Sequence, residues 1–346
     1  MPDHVTAVAP GRVNLIGEHT DYNHGLALPF AISAGVRVSA TPQQERRIEA
    51  IAVDLGERDE FELAAPERAS GWRAFVRGAA VELQRAGVAL RGARVRIRGE
   101  VPRGAGLSSS AALEVALTLA LVALAGAREP DRIELAKLCA RIENDWVGAR
   151  TGLLDQLASL LGERDRALLI DFRSLDVRPV PIELGGFKLV TLDSGERHAN
   201  AASGYNRRRA ECLQAAERLG VASLRDATLD QARHLPSPLS SRARHVITEN
   251  RRVEEAVAAL HRGDLARLGR LLDASHASLR DDYEVSTPAV EAAVERVRRA
   301  GAVGARIVGG GFGGHVLALM PGDAAVPSGA LEVRPGPGAR LLGCAA

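Results

Sequence analysis

The 346-residue sequence lacks an excess of charge of either sign, because 45 Lys and Arg residues face 43 Asp and Glu residues. A formal net charge of +2 gives no electrostatic case for binding nucleic acid or an anionic membrane. Long apolar runs are also missing: the longest, residues 115–125, is too short to span a bilayer. The N-terminus shows no basic segment followed by an apolar one, the pattern of a signal peptide. We therefore expect a cytoplasmic protein that binds neither nucleic acid nor membrane.

Cysteine and lysine are both scarce. The three cysteines, Cys139, Cys212 and Cys344, are odd in number and lack metal-ligand spacing, which argues against a disulfide framework and a zinc site. The two lysines, Lys137 and Lys188, do not follow a glycine loop. Since a P-loop needs Lys and then Ser or Thr after its last glycine, this nucleotide motif is excluded.

A glycine- and serine-rich run precedes the apolar segment 111–125, for which we predict a helix. Glycines let the backbone approach a ligand, and serines are good residues to cap a helix N-terminus. The free N–H groups and the dipole at such a terminus suit a phosphate. On this run alone, an ordinary capped turn is an equally good explanation. The run comprises Gly104, Ala105, Gly106, Leu107, Ser108, Ser109 and Ser110.

A second glycine-rich run has the spacing of the dinucleotide-binding fingerprint, with Gly309, Gly311 and Gly314 after an apolar stretch. The fingerprint must open a helix, but only residues 315–320 separate it from Pro321. We therefore predict two strands joined by a glycine-rich turn, which disfavours an NAD or flavin site.

Strand and helix patterns alternate along the chain, which indicates an α/β or α+β class, and the length suits two domains. We place the boundary near residue 174, giving domains 1–174 and 175–346. The predicted helices are 72–85, 111–125, 132–147, 152–161, 206–219, 242–261, 264–278 and 288–299. The predicted strands are 5–8, 26–30, 36–41, 48–53, 95–98, 167–172, 187–192, 305–308, 315–320 and 331–334.

Four charged or ionisable residues, Arg12, Glu18, His19 and Asp21, fall within ten positions after the first predicted strand. Such a cluster can donate and accept many hydrogen bonds at one place, which suits a sugar or another polyol. A polar surface loop with local ion pairs is the alternative.

Two further carboxylates are ambiguous when each is considered alone. Asp155 lies in the first turn of a predicted apolar helix, where it could simply complement the helix dipole. Glu143 also lies in a predicted helix, and most helix glutamates face solvent.

Read together, these motifs resemble those of a known family. The string 9–23, Ala-Pro-Gly-Arg-Val-Asn-Leu-Ile-Gly-Glu-His-Thr-Asp-Tyr-Asn, is similar to the galactokinase signature. Residues 102–111 resemble the P-x-x-x-G-L-S-S-S-A loop of the wider GHMP kinase superfamily, and residues 309–314 resemble its third motif. The resemblance covers nearly the whole chain. It implies an α+β fold with an N-terminal domain like ribosomal protein S5 domain 2, a ferredoxin-like C-terminal domain, and the site between them.

The resemblance also implies an activity, the transfer of the ATP γ-phosphate to the anomeric hydroxyl of D-galactose. We expect the protein to be a monomer. The resemblance implies that Asp155 accepts the sugar proton and that Arg12 holds Asp155 ionised. Mg²⁺ would be bound through Ser110 and Glu143, and the phosphates of ATP by residues 104–110. The sugar would be bound by Glu18, His19, Asp21, Gly152 and Tyr205.

Two alternatives remain open within this resemblance. One is a kinase of the same fold that acts on N-acetylgalactosamine or arabinose, and the other is a catalytically silent regulator that binds sugar and ATP. The presence of Arg12, Asp155, Glu143 and Ser110 argues against silence. His315 stands beside the third glycine motif where the family has a small residue or cysteine, so it could bear on sugar preference.

Overall fold

The computed structural model of the chain describes residues 2–100, 107–149, 151–197 and 201–342, with the backbone alone for residues 197 and 201–203. Helices and strands interleave throughout these residues, as the sequence predicts. The helices are α1 (Trp72–Arg85), α2 (Ser109–Leu124), α3 (Arg132–Arg141), α4 (Leu154–Leu161), α5 (Ala201–Leu219), α6 (Leu229–Ala232), α7 (Leu239–His261), α8 (Leu265–Asp281) and α9 (Pro288–Arg299). The strands are β1 (Val5–Asn14), β2 (Leu26–Ala27), β3 (Pro29–Pro42), β4 (Arg47–Ala52), β5 (Glu57–Glu62), β6 (Ala93–Gly99), β7 (Arg166–Asp171), β8 (Asp176–Pro181), β9 (Phe187–Arg197), β10 (Gly304–Ile307), β11 (Gly313–Pro321), β12 (Ala330–Val333) and β13 (Arg340–Leu342).

The strands form three sheets. The largest has the order β13-β1-β3-β6-β4-β5, in which β4 and β6 pair in parallel and the other neighbours pair antiparallel. A smaller sheet has the order β2-β7-β8, and a four-stranded antiparallel sheet has the order β10-β11-β9-β12. Most pairs join strands far apart in the chain, so the sheets bring distant motifs together.

Helix α2 lies at the centre of the first core, packed against β1 and β3. Its residues 111–124 are apolar almost without interruption, and only Ala123 among them is not fully buried. A helix that is apolar all round is a buried helix, and Leu107 and Ser108, which directly precede α2, are buried with it.

A second core lies under the four-stranded sheet, where α8 and α9 pack against β9, β10 and β11. β11 is buried from Gly313 to Met320. The glycine-rich turn 308–312 joins β10 to β11, which confirms the prediction of two strands and a turn rather than a dinucleotide fingerprint. The fingerprint helix is absent from this described region.

The structure differs from the predicted elements at three places. β1 extends to Asn14, so Arg12 lies within a strand rather than after it. The predicted helix 132–147 changes at Ile142 into a six-residue π-helix, Ile142–Val147. β5 was missed because it is a charged edge strand with only Phe61 buried, so it lacks the alternation of apolar residues that marks a half-buried strand.

Two strand pairings join residues on opposite sides of the predicted domain boundary at residue 174. β8 pairs with β7, and β13 returns from the C-terminal end of the described chain to pair with β1. The division into 1–174 and 175–346 stays a prediction.

Two further sequence predictions concern membranes and thiols. In the described part of the chain, no helix is long and apolar enough to cross a membrane. Cys139 and Cys212 are buried free thiols, and Cys344 lies outside the described residues.

Candidate active site

A cavity of about 460 Å³ is lined by residues from the N-terminal half of the chain, between Arg12 and Asp155, and from the C-terminal half, between Glu196 and Gly314. Its walls come from several elements, and all the sequence-predicted site residues that the structure describes, except Leu107, lie on it. These residues are Arg12, Glu18, His19, Asp21, Ser108, Ser109, Ser110, Glu143, Gly152, Asp155 and Tyr205. Leu107 is buried beneath the loop, and Gly104, Ala105 and Gly106 lie outside the described residues.

An ion pair joins the first strand to α4 at the floor of the cavity. Nη2 of Arg12 lies 2.7 Å from Oδ1 of Asp155, in the first turn of α4. The Arg12 side chain is only 7% exposed and that of Asp155 is 25% exposed. A guanidinium held this way is screened little by solvent, while the carboxylate still reaches the cavity.

The Ser-rich loop is tied to this pair. The amide of Arg12 donates to the carbonyl of Leu107 over 3.1 Å, and the hydroxyl of Ser108 donates to Oδ2 of Asp155. Ser108 occupies the N-cap position of α2 with φ +58°, and its hydroxyl makes no capping bond. The side chain of Ser108 therefore does not cap α2, because it bonds Asp155 instead.

The π-helix places Glu143 on the lining of the same cavity. One extra residue per turn changes which side chains face the interior, and such bulges are frequent at functional sites. Glu143 is buried, and its Oε2 accepts hydrogen bonds from Oγ1 of Thr151 at 2.8 Å and from Nε2 of Gln156 at 3.0 Å. Ser110 also hydrogen-bonds this carboxylate. Burial and the nearby Asp155 raise the pKa of Glu143 above its ordinary value.

Glu18 joins the two halves of the chain at the cavity wall. Its Oε1 accepts the amide of Gly309 at 2.7 Å and lies 3.3 Å from Nη2 of Arg306. Arg306 is fully buried, and its Nη1 donates to the carbonyl of Asn14 at 2.8 Å. The carboxylate is thus held in one place by fixed donors from the C-terminal half.

His19 is enclosed by aromatic side chains. Its Nδ1 lies 2.7 Å from the hydroxyl of Tyr22, and its ring centroid lies 4.6 Å from that of Tyr283 and 5.3 Å from that of Tyr205. Burial lowers the pKa of His19 well below its ordinary value of 6.5, and the neighbouring His245 and Arg208 act in the same direction. His19 is therefore a neutral imidazole at neutral pH, suited to hydrogen bonding rather than to charge pairing.

Asp21 begins a single turn of 3₁₀ helix, Asp21–Asn23. Desolvation at the cavity wall raises its pKa to about 7, and the charges of Asp155 and Glu18 act in the same direction. Gly152 lies directly beside it: a Cβ atom on Gly152 would stand 1.9 Å from Oδ2 of Asp21. Gly152 is thus required by a close approach, because any side chain would displace the carboxylate.

Tyr205 reaches the cavity from α5. Its ring lies against the glycine-rich turn, where a Cβ on Gly310 would be 3.0 Å from its Cδ2. The helix is anchored by Arg208, whose Nε donates to the carbonyl of Tyr283 at 2.5 Å. Phe312 lines the same wall with φ +61°, and His315 lies buried on β11 outside the described lining of the cavity.

Comparison with known proteins gives a family for this arrangement. The family model described as "Galactokinase galactose-binding signature" matches residues 2–42, "GHMP kinases N terminal domain" matches residues 74–163, and "GHMP kinases C terminal" matches residues 256–334. A galactokinase from Roseiflexus sp. (strain RS-1) is 46% identical over 333 residues, covering 92% of this chain and 83% of that protein. A galactokinase from Mycobacterium tuberculosis (strain ATCC 25177 / H37Ra) is 47% identical, covering 92% and 89%.

The chain belongs to the galactokinase family.

Solved structures agree on the fold. The crystal structure of Lactococcus lactis galactokinase complexed with galactose superposes with a TM-score of 0.91 at 34% identity, covering 98% of this chain and 95% of that one. A mevalonate kinase from Methanococcus jannaschii, at 18% identity and a TM-score of 0.69, shares the fold. The α+β GHMP kinase fold is confirmed, and the galactokinase family makes the chain an ATP-dependent sugar kinase.

The residues around Glu143 fit the Mg²⁺ ion expected for a kinase of this family. Mg²⁺ prefers oxygen ligands and is usually held by one or two carboxylates together with substrate phosphates and waters. Ser110 and Glu143 supply one hydroxyl and one carboxylate beside the start of α2. Burial, followed by the nearby Asp155, raises the pKa of Glu143, and a cation at this place would oppose that shift. In the described residues, no group of three or more His, Cys, Asp and Glu forms a protein-only metal site.

Several residues of the site were missed from the sequence. Thr151, Gln156 and Arg306 act on Glu143 or Glu18 through single hydrogen bonds or ion pairs, and Glu114 lies behind Gln156. Only one signal could have found any of them: Glu114 interrupts the longest apolar helix of the chain with an ionisable side chain.

Proposed function

We propose that this member of the galactokinase family transfers the γ-phosphoryl group of ATP to the anomeric hydroxyl of D-galactose, giving galactose 1-phosphate and ADP. One observation carries the proposal. The Arg12–Asp155 pair lies where the Ser-rich start of α2 and the residues of the galactokinase signature meet in a single cavity. A nucleotide phosphate at the first and a sugar hydroxyl at the second would be brought together at Asp155.

Phosphoryl transfer through a loose transition state needs alignment and charge neutralisation more than covalent help from the protein. Asp155 accepts the proton of the anomeric hydroxyl, whose oxygen then bonds the γ-phosphorus as the bond from that phosphorus to the β–γ bridging oxygen breaks. Arg12 fixes the Asp155 carboxylate at 2.7 Å and offers positive charge to the transferred group. Ser108 holds the second oxygen of the carboxylate, so Asp155 has one orientation before the sugar arrives.

Sugar recognition falls to Glu18, His19, Asp21, Gly152 and Tyr205. Glu18 is fixed by Gly309 and Arg306, and His19 is fixed by Tyr22, so their acceptor and donor atoms stand at set places. Gly152 leaves the space in which Asp21 sits. A rigid polar set of this kind selects by the position of each hydroxyl, because a misplaced hydroxyl leaves a buried partner unpaired.

The phosphates of ATP would lie on the loop 104–110, where the start of α2 contributes Ser109, Ser110 and the positive end of the helix dipole. Ser110 and Glu143 would hold Mg²⁺. When bound, the ion supplies positive charge that neutralises the phosphate oxygens.

We also propose that the enzyme is a monomer in the cytoplasm. Charged residues make up 25% of the sequence, which supports a freely soluble chain. The large hydrophobic side chains exposed in the described residues are few and come from separate elements, as on a monomer surface.

The experiment that tests the function is an ADP-release assay across galactose, glucose, N-acetylgalactosamine and arabinose. The position of phosphate on each product is determined by NMR, and the assay without sugar is the control. Galactose should give the highest kcat/KM. Glucose, which differs at one hydroxyl, should lose about 1–3 kcal/mol, or roughly 5- to 150-fold. Equal turnover of glucose and galactose, preference for another sugar of the panel, or phosphate on another oxygen would contradict the proposal.

A further inference from the structure

A second carboxyl group lies behind the proposed cation ligand. Glu114 is fully buried in α2, and its Oε2 accepts a hydrogen bond from Nε2 of Gln156 at 3.2 Å. The same Nε2 donates to Oε2 of Glu143 at 3.0 Å. Gln156 is also fully buried and directly follows Asp155 in α4. One amide nitrogen therefore bridges a carboxyl of α2 and a carboxylate of the π-helix.

Packing does not explain a carboxyl group at position 114. The neighbours of Glu114 in α2 are Leu113 and Val115, and an apolar side chain there would continue the buried helix. Burying a polar group without full hydrogen bonding destabilises a protein, and one oxygen of Glu114 and one of Gln156 have no partner among the described residues. A cost of this kind persists where the group serves another purpose.

We propose that Glu114 and Gln156 are positioning residues for Glu143, which hold its carboxylate in the orientation that binds the divalent cation. The inference rests on the proposed function, in which Glu143 is a cation ligand. Gln156 and Thr151 both donate hydrogen bonds to Oε2 of Glu143, so the position of this oxygen is held by two donors. Glu114 in turn fixes the amide of Gln156. Outer partners of this kind orient metal ligands and raise metal affinity.

The surroundings of Glu114 disfavour its ionised form. Burial, followed by the negative charge of Glu143, raises the pKa of Glu114 well above its ordinary value, and Asp155 acts in the same direction. The remaining neighbours that interact with it are Gln156 and Cys139, which are neutral at neutral pH. The side-chain carbonyl of a glutamine at position 114 can accept the same hydrogen bond from Nε2 of Gln156, whereas an apolar residue cannot.

The test measures binding of Mn²⁺ to the whole protein by electron paramagnetic resonance, in the presence of a non-hydrolysable ATP analogue and without galactose. We expect Glu114→Leu and Gln156→Leu to weaken Mn²⁺ binding roughly 10- to 100-fold, the range found for outer partners of metal ligands. Glu114→Gln should bind within about twofold of the unchanged protein, since it preserves the hydrogen bonds. Thr118→Val is the matched control, because Thr118 is a buried polar residue of α2 that bonds its own helix. It should bind Mn²⁺ normally.

The outcomes separate this inference from the proposed function. Loss of Mn²⁺ binding in Glu143→Ala together with normal binding in Glu114→Leu and Gln156→Leu overturns the positioning roles and leaves the cation site intact. Normal binding in Glu143→Ala overturns the cation site itself. Weak binding in Glu114→Gln equal to that in Glu114→Leu also contradicts the inference. If Glu114→Leu does not fold, Mn²⁺ binding to Gln156→Leu and Glu114→Gln still tests the positioning roles. Galactose affinity, measured by calorimetry, is the second readout, because a change confined to the metal site leaves it unaltered.

Discussion

Four carboxyl groups of this site differ in their surroundings, and the surroundings of each group determine its chemical role. Asp155 is paired with a cation, Glu143 receives several neutral donors, Glu114 is enclosed in an apolar helix, and Asp21 lies at the cavity wall near other carboxylates. Environments that separate the pKa values of neighbouring acids assign them different roles. Asp21 is the one whose pKa is raised to about 7, within reach of ordinary assays.

The pH dependence of sugar binding should follow Asp21. Its ionised fraction rises as the pH increases through about 7, and the ionised carboxylate accepts hydrogen bonds from sugar hydroxyls better than the neutral acid does. We expect the Kd for galactose to fall up to about tenfold between about pH 6 and about pH 8, the change in the ionised fraction. His19 stays neutral over this range, because its pKa lies well below 6.5.

Calorimetric titration of galactose at several pH values measures this, and Asp21→Asn is the control that should remove the dependence. A dependence that survives in Asp21→Asn would assign it to another group. The same shift has a consequence for stability. The folded state holds the Asp21 proton more tightly than the unfolded state, so this group lowers the free energy of unfolding as the pH rises from 3.8 to about 7.

At this scale, the sequence predicts residue types better than their contacts. The cluster Arg12, Glu18, His19 and Asp21 is visible because its members lie within ten positions. The pairing of Arg12 with Asp155, 143 positions apart, follows only from the resemblance to galactokinases and not from local pattern. The bond from Ser108 to Asp155 could not be predicted at all, since a serine before a helix ordinarily caps it.

Elements shape the site mainly where regular structure is interrupted. The π-helix turns Glu143 inward, the 3₁₀ turn at Asp21 places a carboxylate at the cavity wall, and the glycine-rich turn 308–312 brings the amide of Gly309 to Glu18. Long periodic helices were predicted well, as with α1 at Trp72–Arg85. The interruptions were missed, because a hydrophobic period does not report a change in helix type.

The close packing of Gly152, which lies between the π-helix and α4, against the 3₁₀ turn at Asp21 gives a prediction. Gly152→Ala should displace Asp21, because the added Cβ would stand 1.9 Å from Oδ2 and 2.5 Å from Cγ. We expect the KM for galactose to rise roughly 10-fold or more, a loss of at least about 1.4 kcal/mol of binding, with little change in the KM for ATP.

Steady-state kinetics with each substrate varied in turn measures the two constants. Gly186→Ala is the matched control, since a Cβ there meets nothing within 4 Å, and it should leave both unchanged. An unaltered KM for galactose in Gly152→Ala would show that Asp21 is not a sugar ligand or that the turn adapts without cost.

Contacts between the N-terminal and C-terminal halves of the chain hold residues of both at one cavity. Arg306 contacts Glu18, and the amide of Gly17 donates to Oε1 of Glu249 at 3.0 Å. Although burial acts to raise it, Arg252, His245 and Arg306 lower the pKa of Glu249 to about 2, so this acceptor is ionised at neutral pH. The galactokinase signature is therefore fixed against α7 and β10 by charged hydrogen bonds.

The class, the two glycine motifs and most elements of this architecture were predicted from the sequence. The return of β13 to β1 and the pairing of β8 with β7 were not, because strand order in a sheet depends on contacts between segments far apart in the chain. Because these two pairings join segments on both sides of residue 174, the division of the chain there stays a prediction.

The central claim is that the assembled molecule transfers phosphate by means of the Arg12–Asp155 pair. The most direct test is the single-turnover rate of Asp155→Asn, Arg12→Ala and the double variant, with nucleotide affinity measured alongside. Asp155→Asn should lower the rate about 10²- to 10⁴-fold while ATP still binds, and adding Arg12→Ala should change it little further, because residues that act as a unit are not additive. If Asp155 only complements the dipole of α4, the variant would lose about 0.3–1 kcal/mol of stability and keep a near-normal rate. That result would contradict the account.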